Sequence, residues 1–218
     1  MAATDSLSAR RPLRSRQSGP ARRAAAWLAA RGVRPNLISL ASVAFALLAG
    51  GALVAVRPVQ GAAAEAALLA AAALCIQLRL VANLLDGMVA VEGGLGGRTG
   101  ELFNDVPDRL ADPVILVCAG YAAAVPELGW AAATLALLTA YVRVLGGSLG
   151  LRQDFSGPMA KQQRMALVTA ACLIAAAVCA IDGYREGPLA VALGLVVAGA
   201  AVTCARRLRR IAVGLEAR

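Results

Sequence analysis

The chain has 218 residues, of which 59% are hydrophobic, 16% charged and 4% aromatic, and its formal net charge is +9. Soluble domains carry about 25% charged residues, so this chain has too little polar surface to cover a core in water. The composition excludes soluble globular, disordered, collagenous and disulfide-scaffold proteins. It predicts an all-α polytopic membrane protein.

The first part of the chain is basic and precedes the apolar segments. Residues 1–18 are polar and without periodicity, which predicts a disordered basic tail. Within residues 19–34, Trp27 and Leu28 lie on the helical face opposite three arginines. This pattern predicts an amphipathic helix that lies in the membrane interface.

Six apolar segments follow, and each is long enough to cross about 30 Å of hydrocarbon at about 1.5 Å per residue. They run over residues 37–56, 63–90, 100–125, 128–151, 163–182 and 188–208. We therefore expect a domain of six transmembrane helices over residues 35–210 and a C-terminal tail over residues 211–218.

The basic residues between the apolar segments predict the orientation. They lie in the N-terminal tail, in the loop with Arg98, in the loop with Arg152 and Lys161, and in the C-terminal tail. Basic loops stay on the cytoplasmic side, so both termini are expected there. The excess positive charge indicates contact with anionic headgroups rather than with nucleic acid. We expect a multi-pass protein of a cell membrane, and the arginine and alanine richness favours a bacterial inner membrane.

Acidic residues concentrate where the second and third apolar segments meet. Six of the thirteen are found there: Asp86, Glu92, Glu101, Asp105, Asp108 and Asp112. Carboxylates within membrane segments are costly and usually face the interior of a helix bundle or a hydrated cavity. Because the chain has no histidine, a general base here would have to be a carboxylate.

The spacing of these polar residues favours a cation site. Asn83 and Asp86 share one face of the second segment, and Asn104 and Asp108 are four residues apart on the third. Carboxylate and amide oxygens are the ligands that Mg²⁺, Mn²⁺ and Ca²⁺ prefer. The alternative is that the acids only form ion pairs, with Arg79, Arg98, Arg109 and Arg143 as the available partners.

The same residues carry a resemblance. From Asn83 to Asp108 the sequence reads N-x2-D-G-x2-A-V-x8-G-x3-N-x3-D. It resembles the signature of the CDP-alcohol phosphatidyltransferases, D-x2-D-G-x2-A-R-x8-G-x3-D-x3-D, with every spacing kept. The matching residues are Asp86, Gly87, Ala90, Gly100 and Asp108, and the segment RPNLIS over residues 34–39 is similar to the family's P-N-x-x-T/S motif.

The resemblance implies a function. The family transfers the phosphatidyl group of CDP-diacylglycerol to the hydroxyl of a polar alcohol, releases CMP, and works as a homodimer in the membrane. Carried over by position, Asn83, Asp86, Asn104 and Asp108 would hold Mg²⁺ or Mn²⁺. The resemblance also makes Asp108 the catalytic base.

The resemblance further implies a substrate pocket. Gly87 would lie against the nucleotide, and Asn36 and Ser39 would line the same pocket. Basic residues of the later segments would recognise a phosphate or another anionic group: Arg143, Lys161 and Arg164. Basic residues at these positions are equally expected from the orientation of the loops alone.

Three departures from the signature leave alternatives open. Asn83 and Asn104 replace aspartates, and Val91 replaces an arginine. We expect Asp105 or Glu101 to supply the missing carboxylates, and the loop residue Arg98 to replace the arginine. Asp112 is expected to pair with a buried arginine, with Arg79 and Arg143 as candidates. The alternatives are a catalytically silent relative that binds a CDP-lipid or a partner enzyme, and a transporter that relays ions through the acidic residues.

Overall fold

The computed structural model describes residues 18–92, 100–182 and 186–217, without the side chains at positions 92, 100, 101, 103, 104, 180 and 182. Several predictions therefore lie outside the described residues. These concern the basic tail before residue 18, Arg98, and the side chains of Glu101 and Asn104.

The described residues form seven α-helices joined by short connections. They are α1 Gly19–Ala30, α2 Pro35–Ala55, α3 Ala62–Glu92, α4 Gly100–Ala122, α5 Pro126–Ser148, α6 Lys161–Asp182 and α7 Glu186–Glu216. Prolines at the first position of α2 and α5 suit helix starts, where the missing N–H has no partner to lose. The predicted all-α fold is confirmed.

Five helices are long and apolar enough to cross a membrane, namely α2, α3, α5, α6 and α7. These helices identify a multi-pass membrane protein. The remaining long helix, α4, is less apolar because its first half carries Asp105, Asp108, Arg109 and Asp112. A sixth span through α4 stays a prediction. The last helix continues to Glu216, so most of the segment assigned to a C-terminal tail is helical.

The six long helices pack in a closed ring. Its order is α2, α3, α6, α7, α5, α4 and back to α2, and α1 packs against α3. The core inside this ring consists largely of alanine, leucine and valine. Large apolar side chains such as Leu40, Leu74 and Ile174 are exposed, as is expected where helices face lipid tails.

A tight hairpin connects α4 to α5. The N–H of Val125 donates to the carbonyl of Gly120 across 2.9 Å, and Ala124 turns the chain with a φ of 57°. The two helices touch at Gly120 and Gly129, where a Cβ on Gly120 would lie 2.7 Å from the Cα of Gly129. Only glycine allows this approach, and it fixes the position of α4 against α5.

The connection between α5 and α6 is fastened to α7. Buried Arg207 donates to the carbonyl of Thr139 across 2.7 Å and to the carbonyl of Ser156 across 3.0 Å. Gly157 has a φ of +137°, and a Cβ there would lie 2.4 Å from Cγ2 of Thr203. These contacts hold the chain directly before the first residue of α6.

Candidate functional site

Polar residues from α3, α4 and α6 meet inside the ring. We call them the polar cluster, and its members are Arg79, Asn83, Asp86, Asp108, Asp112, Lys161 and Arg164. On α3 the spacings of four and three residues place its three members on one helical face. The ring order brings α6 against that face, so side chains far apart in the sequence come into contact.

Arg79 ties α3 to α4. Its side chain is completely buried, and its Nη2 lies 2.8 Å from Oδ1 of Asp108 and 2.7 Å from Oδ1 of Asp112. A buried guanidinium needs such partners, because an unpaired charge in this environment is costly. The expected pairing of Asp112 with a buried arginine is therefore present, with Arg79 as one partner.

Arg164 is the second partner of Asp112. Its Nη2 donates to Oδ2 of Asp112 across 2.9 Å, and its Nη1 donates to Oγ1 of Thr139 and to the carbonyl of Met159. The side chain of Arg164 is only 3% exposed. This is the placement of a structural ion pair, and it argues against the prediction that Arg164 recognises an anionic substrate directly.

Asp86 receives two hydrogen bonds at the other end of the polar cluster. The hydroxyl of Ser39 on α2 donates to Oδ2 across 2.7 Å, and the N–H of Gly87 donates to Oδ1 across 2.5 Å. Ser39 and Asp86 are both buried, whereas Asn36, one turn earlier on α2, is exposed. Asn36 could therefore reach only the rim of a pocket at this site.

Lys161 is the first residue of α6 and reaches two residues of the signature. Its ammonium donates to Oδ1 of Asn83 across 2.5 Å and also to Oδ2 of Asp108. Asn83 and Asp108 are the first and last positions that the sequence assigned to metal binding. In this structure their oxygens accept hydrogen bonds from an ammonium group.

Asp105 forms ion pairs outside the polar cluster. Arg143 donates to both of its oxygens across 2.9 and 3.1 Å, and Arg109 donates across 2.9 Å. Arg143 also lies over the ring of Phe155, with 5.1 Å from Cζ to the ring centroid. Arg143 is thus the partner of Asp105 rather than of Asp112. Because both oxygens of Asp105 are engaged, this residue is poorly placed to supply a missing metal ligand.

The described side chains do not fit a site for two divalent ions. Two ligand oxygens are occupied by Lys161, and three of the four described carboxylates of the region already have cationic partners. The fourth, Asp86, accepts hydrogen bonds from Ser39 and Gly87 instead. Four described carboxylates face five cations: Asp86, Asp105, Asp108 and Asp112 against Arg79, Arg109, Arg143, Lys161 and Arg164. A site for hard cations needs an excess of acceptor oxygens.

Arg207 was not identified from the sequence as part of the site. Its positive charge falls in the basic C-terminal part of the chain, where the orientation of the chain alone explains it. Its four-residue spacing from Thr203 was the available signal, because both residues fall on one face of α7 and contact the same connection.

An ion pair at the surface also holds the connection between α5 and α6 against α7. Oδ2 of Asp154 lies 2.8 Å from Nη1 of Arg210, and Oδ1 accepts from the N–H of Ser156 across 2.8 Å. Partial burial alone would raise the pKa of Asp154. The hydrogen bonds from Ser156 and the nearby Arg210 outweigh it and hold the pKa below its ordinary value.

No protein-family model and no curated protein matches the chain. Solved structures, in contrast, are similar to the chain in fold. The phosphatidylinositol phosphate synthase of Mycobacterium tuberculosis with CDP-DAG bound aligns with a TM-score of 0.72 and 19% identity, over 88% of this chain and 92% of that one. The same synthase in complex with manganese and citrate aligns with a TM-score of 0.71 and 19% identity, over 88% of each chain. This chain has the fold of that synthase.

Proposed function

We propose that this chain is a transferase of phospholipid biosynthesis that binds CDP-diacylglycerol at the polar cluster. It transfers the phosphatidyl group to the hydroxyl of a polar alcohol and releases CMP. The observation that carries the proposal is the presence of Asp86 and Asp108, at the spacing of the family signature, in one polar cluster of a fold shared with a synthase that has CDP-DAG bound.

The proposed step uses Asp108 as the proton acceptor. The hydroxyl oxygen of the alcohol attacks the phosphorus that carries the diacylglycerol, and the bond from this phosphorus to the oxygen of CMP breaks. CMP leaves with the bonding electrons, and the hydroxyl proton passes to Oδ2 of Asp108. Lys161 must give up its hydrogen bond to that oxygen, and a phosphate oxygen of the substrate is its natural new partner.

The remaining residues of the region orient the reactants. Ser39 and the N–H of Gly87 hold Asp86 in one orientation beside the motif glycine, where a small residue leaves room for the nucleotide. Arg143 is 16% exposed and can share its guanidinium with an anionic group of the alcohol. The sequence predicts dependence on Mg²⁺ or Mn²⁺, and the assay below includes both ions.

A second candidate function is a silent relative that binds the CDP-lipid without transferring it. The contact of Lys161 with Asn83 and Asp108 favours it, because the proton acceptor is already neutralised by a lysine and an arginine.

The decisive assay measures CMP release from CDP-diacylglycerol by purified protein. It uses a panel of alcohols (glycerol phosphate, inositol phosphate and serine), each with Mg²⁺, Mn²⁺ or a chelator. We expect release with one acceptor and its loss in Asp108→Asn. Glu127→Gln is the matched control, because this exposed acid lies in the first turn of α5, away from the polar cluster. Binding of CDP-diacylglycerol without release for any acceptor would instead establish the silent relative.

We further propose that the protein is a homodimer with both termini and the polar cluster on the cytoplasmic side. The distribution of basic loops supports this orientation, and the resemblance supports the dimer. Native mass spectrometry from detergent gives the subunit number. A reporter active only in the cytoplasm, fused after Arg218, tests the orientation.

A further inference from the structure

We propose that Lys161 is a built-in cation that takes the place of a divalent metal ion in the polar cluster. The chain then holds the diphosphate of a CDP-linked lipid without metal. This inference rests on the binding half of the proposed function and is independent of whether transfer follows.

The position of the ammonium is the first support. Lys161 lies at the start of α6, and its Nζ donates to the oxygens of Asn83 on α3 and Asp108 on α4. A metal ion bound by the first and last positions of the signature would need these same two oxygens. The ammonium bridges α3 and α4 as such an ion would.

The charges are the second support. Asparagine at positions 83 and 104 removes two negative charges from a motif of four carboxylates, because an amide binds only through a neutral carbonyl oxygen. One lysine then suffices where divalent ions would otherwise be needed. The described charges of the polar cluster already balance, with three cations against three carboxylates, so the cluster offers a dication no net negative charge.

The unused hydrogen-bonding groups are the third support. Within the described part of the polar cluster, four buried nitrogens have no hydrogen-bond partner: Nε and Nη1 of Arg79, Nδ2 of Asn83 and Nε of Arg164. All four are donors. The one buried oxygen of the described cluster without a hydrogen bond, Oδ1 of Asp112, is ion-paired with Nη2 of Arg79 across 2.7 Å. A metal site needs spare acceptors, whereas spare donors suit water or the oxygens of a phosphate.

Lys161 is also accessible enough to meet a ligand. Its side chain is 19% exposed, compared with 0% for Arg79 and 3% for Arg164. Lysine is a compact point charge that binds phosphate well without fixed geometry. The two buried arginines pair with Asp108 and Asp112. Within the described part of the polar cluster, Lys161 is therefore the cation that can contact the diphosphate.

The chain offers a direct probe, because Lys161 is its only lysine. Protein grown with [ε-¹³C]lysine and purified in detergent gives one lysine resonance. Addition of Mn²⁺ alone should leave it sharp, since the paramagnetic ion does not enter the polar cluster. Addition of CDP should shift it. Broadening by Mn²⁺ at concentrations that leave a solvent-exposed methyl probe sharp would overturn the proposal.

The affinity for CDP supplies the second readout. By calorimetry, CDP should bind the wild type equally well with a chelator or with Mg²⁺, within about twofold. Lys161→Met should weaken binding by about tenfold or more, and Lys161→Arg should retain most of it. Binding that requires Mg²⁺ would overturn this inference and leave the proposed function intact. No binding of CDP or CDP-diacylglycerol under any condition would overturn both.

A gain-of-metal variant completes the test. Asn83→Asp, Asn104→Asp and Lys161→Met together restore the four carboxylates and remove the ammonium. This triple variant should bind Mn²⁺, and its affinity for CDP should become sensitive to a chelator. Equal Mn²⁺ binding by the wild type and the triple variant would contradict the role assigned to Lys161. Thermal unfolding followed with a thiol-reactive dye reports folding, because Cys172 and Cys204 are buried in the native state.

Discussion

The hydroxyl of Ser39 on α2 donates a hydrogen bond to Oδ2 of Asp86 on α3 across 2.7 Å. Both side chains are buried, and the bond joins the two helices at the edge of the polar cluster. It also fixes which oxygen of Asp86 is left for the N–H of Gly87. The orientation of this carboxylate is therefore set from a different helix.

We expect Ser39→Ala to lower both stability and the affinity for CDP. The buried carboxylate of Asp86 would lose one of its two donors, at a cost of about 1–3 kcal/mol in the free energy of unfolding. Unfolding in detergent and calorimetry with CDP measure the two effects. Ser42→Ala is the matched control, because this buried hydroxyl on the same helix has no hydrogen-bond partner among the described residues. An equal loss in the two variants would contradict the role of Ser39.

Replacement of Arg79 should be among the most destabilising single changes in the chain. Arg79→Met leaves Asp108 and Asp112 buried with one cationic partner each, and breaking such pairs costs about 3–5 kcal/mol. Arg79→Lys keeps the charge but places one nitrogen within 2.8 Å of both acids less readily. We therefore expect an intermediate loss in the free energy of unfolding. Chemical unfolding in mixed micelles ranks the variants. A wild-type midpoint for Arg79→Met would show that these acids do not need the arginine.

The contact between Gly120 and Gly129 predicts a steric effect. A Cβ on Gly120 would lie 2.7 Å from the backbone of Gly129, so Gly120→Ala must push α4 and α5 apart, at about 1–3 kcal/mol. Gly51→Ala is the control, because a Cβ at that helical glycine has no neighbour within 4 Å. It should be neutral or stabilising by up to about 1 kcal/mol. Thermal unfolding of both variants is the measurement.

We expect Arg207 to contribute to both stability and CDP binding, although it is remote in sequence from the signature. Arg207→Gln removes charged hydrogen bonds to the carbonyls of Thr139 and Ser156, at about 2 kcal/mol. It should also loosen the chain that precedes Lys161 and weaken CDP binding. Arg206→Gln, an exposed neighbour, should change neither property. Hydrogen exchange of residues 149–160 reports the loosening, and unchanged protection in Arg207→Gln would count against it.

Much of the fold follows from composition. Apart from the end of α7, the apolar runs and their interruptions locate the helices to within a few residues. A membrane-spanning helix must satisfy its own backbone hydrogen bonds and therefore needs a long apolar stretch. The packing of α3 against α4 does not follow from their order, because in the ring each of them lies beside α2 rather than beside the other. The sequence does place Asp86 near the end of α3 and Asp108 near the start of α4, and so predicts that both lie near the connection between these helices.

The role of Lys161 could not be predicted from spacing. It lies 78 residues from Asn83 in sequence, and their contact depends on α6 packing against α3 rather than against its neighbour α5. Nothing in a helical period specifies that order. The same holds for Arg207, whose positive charge is equally well explained by the orientation of the chain.

The charged first half of α4 bears on how the protein enters the membrane. Asp108 and Asp112 make this helix a poor candidate to insert alone, because each carboxylate is costly at depth. Arg79, on the helix synthesised immediately before it, pairs with both and offsets half of their charge. We therefore expect α3 and α4 to insert together, with Arg79 already paired to these acids, because Lys161 and Arg164 are synthesised only after α5. Until then Arg79 is the cationic partner on which both acids depend. We therefore expect the loss of Arg79 to affect the nascent chain more than the folded protein.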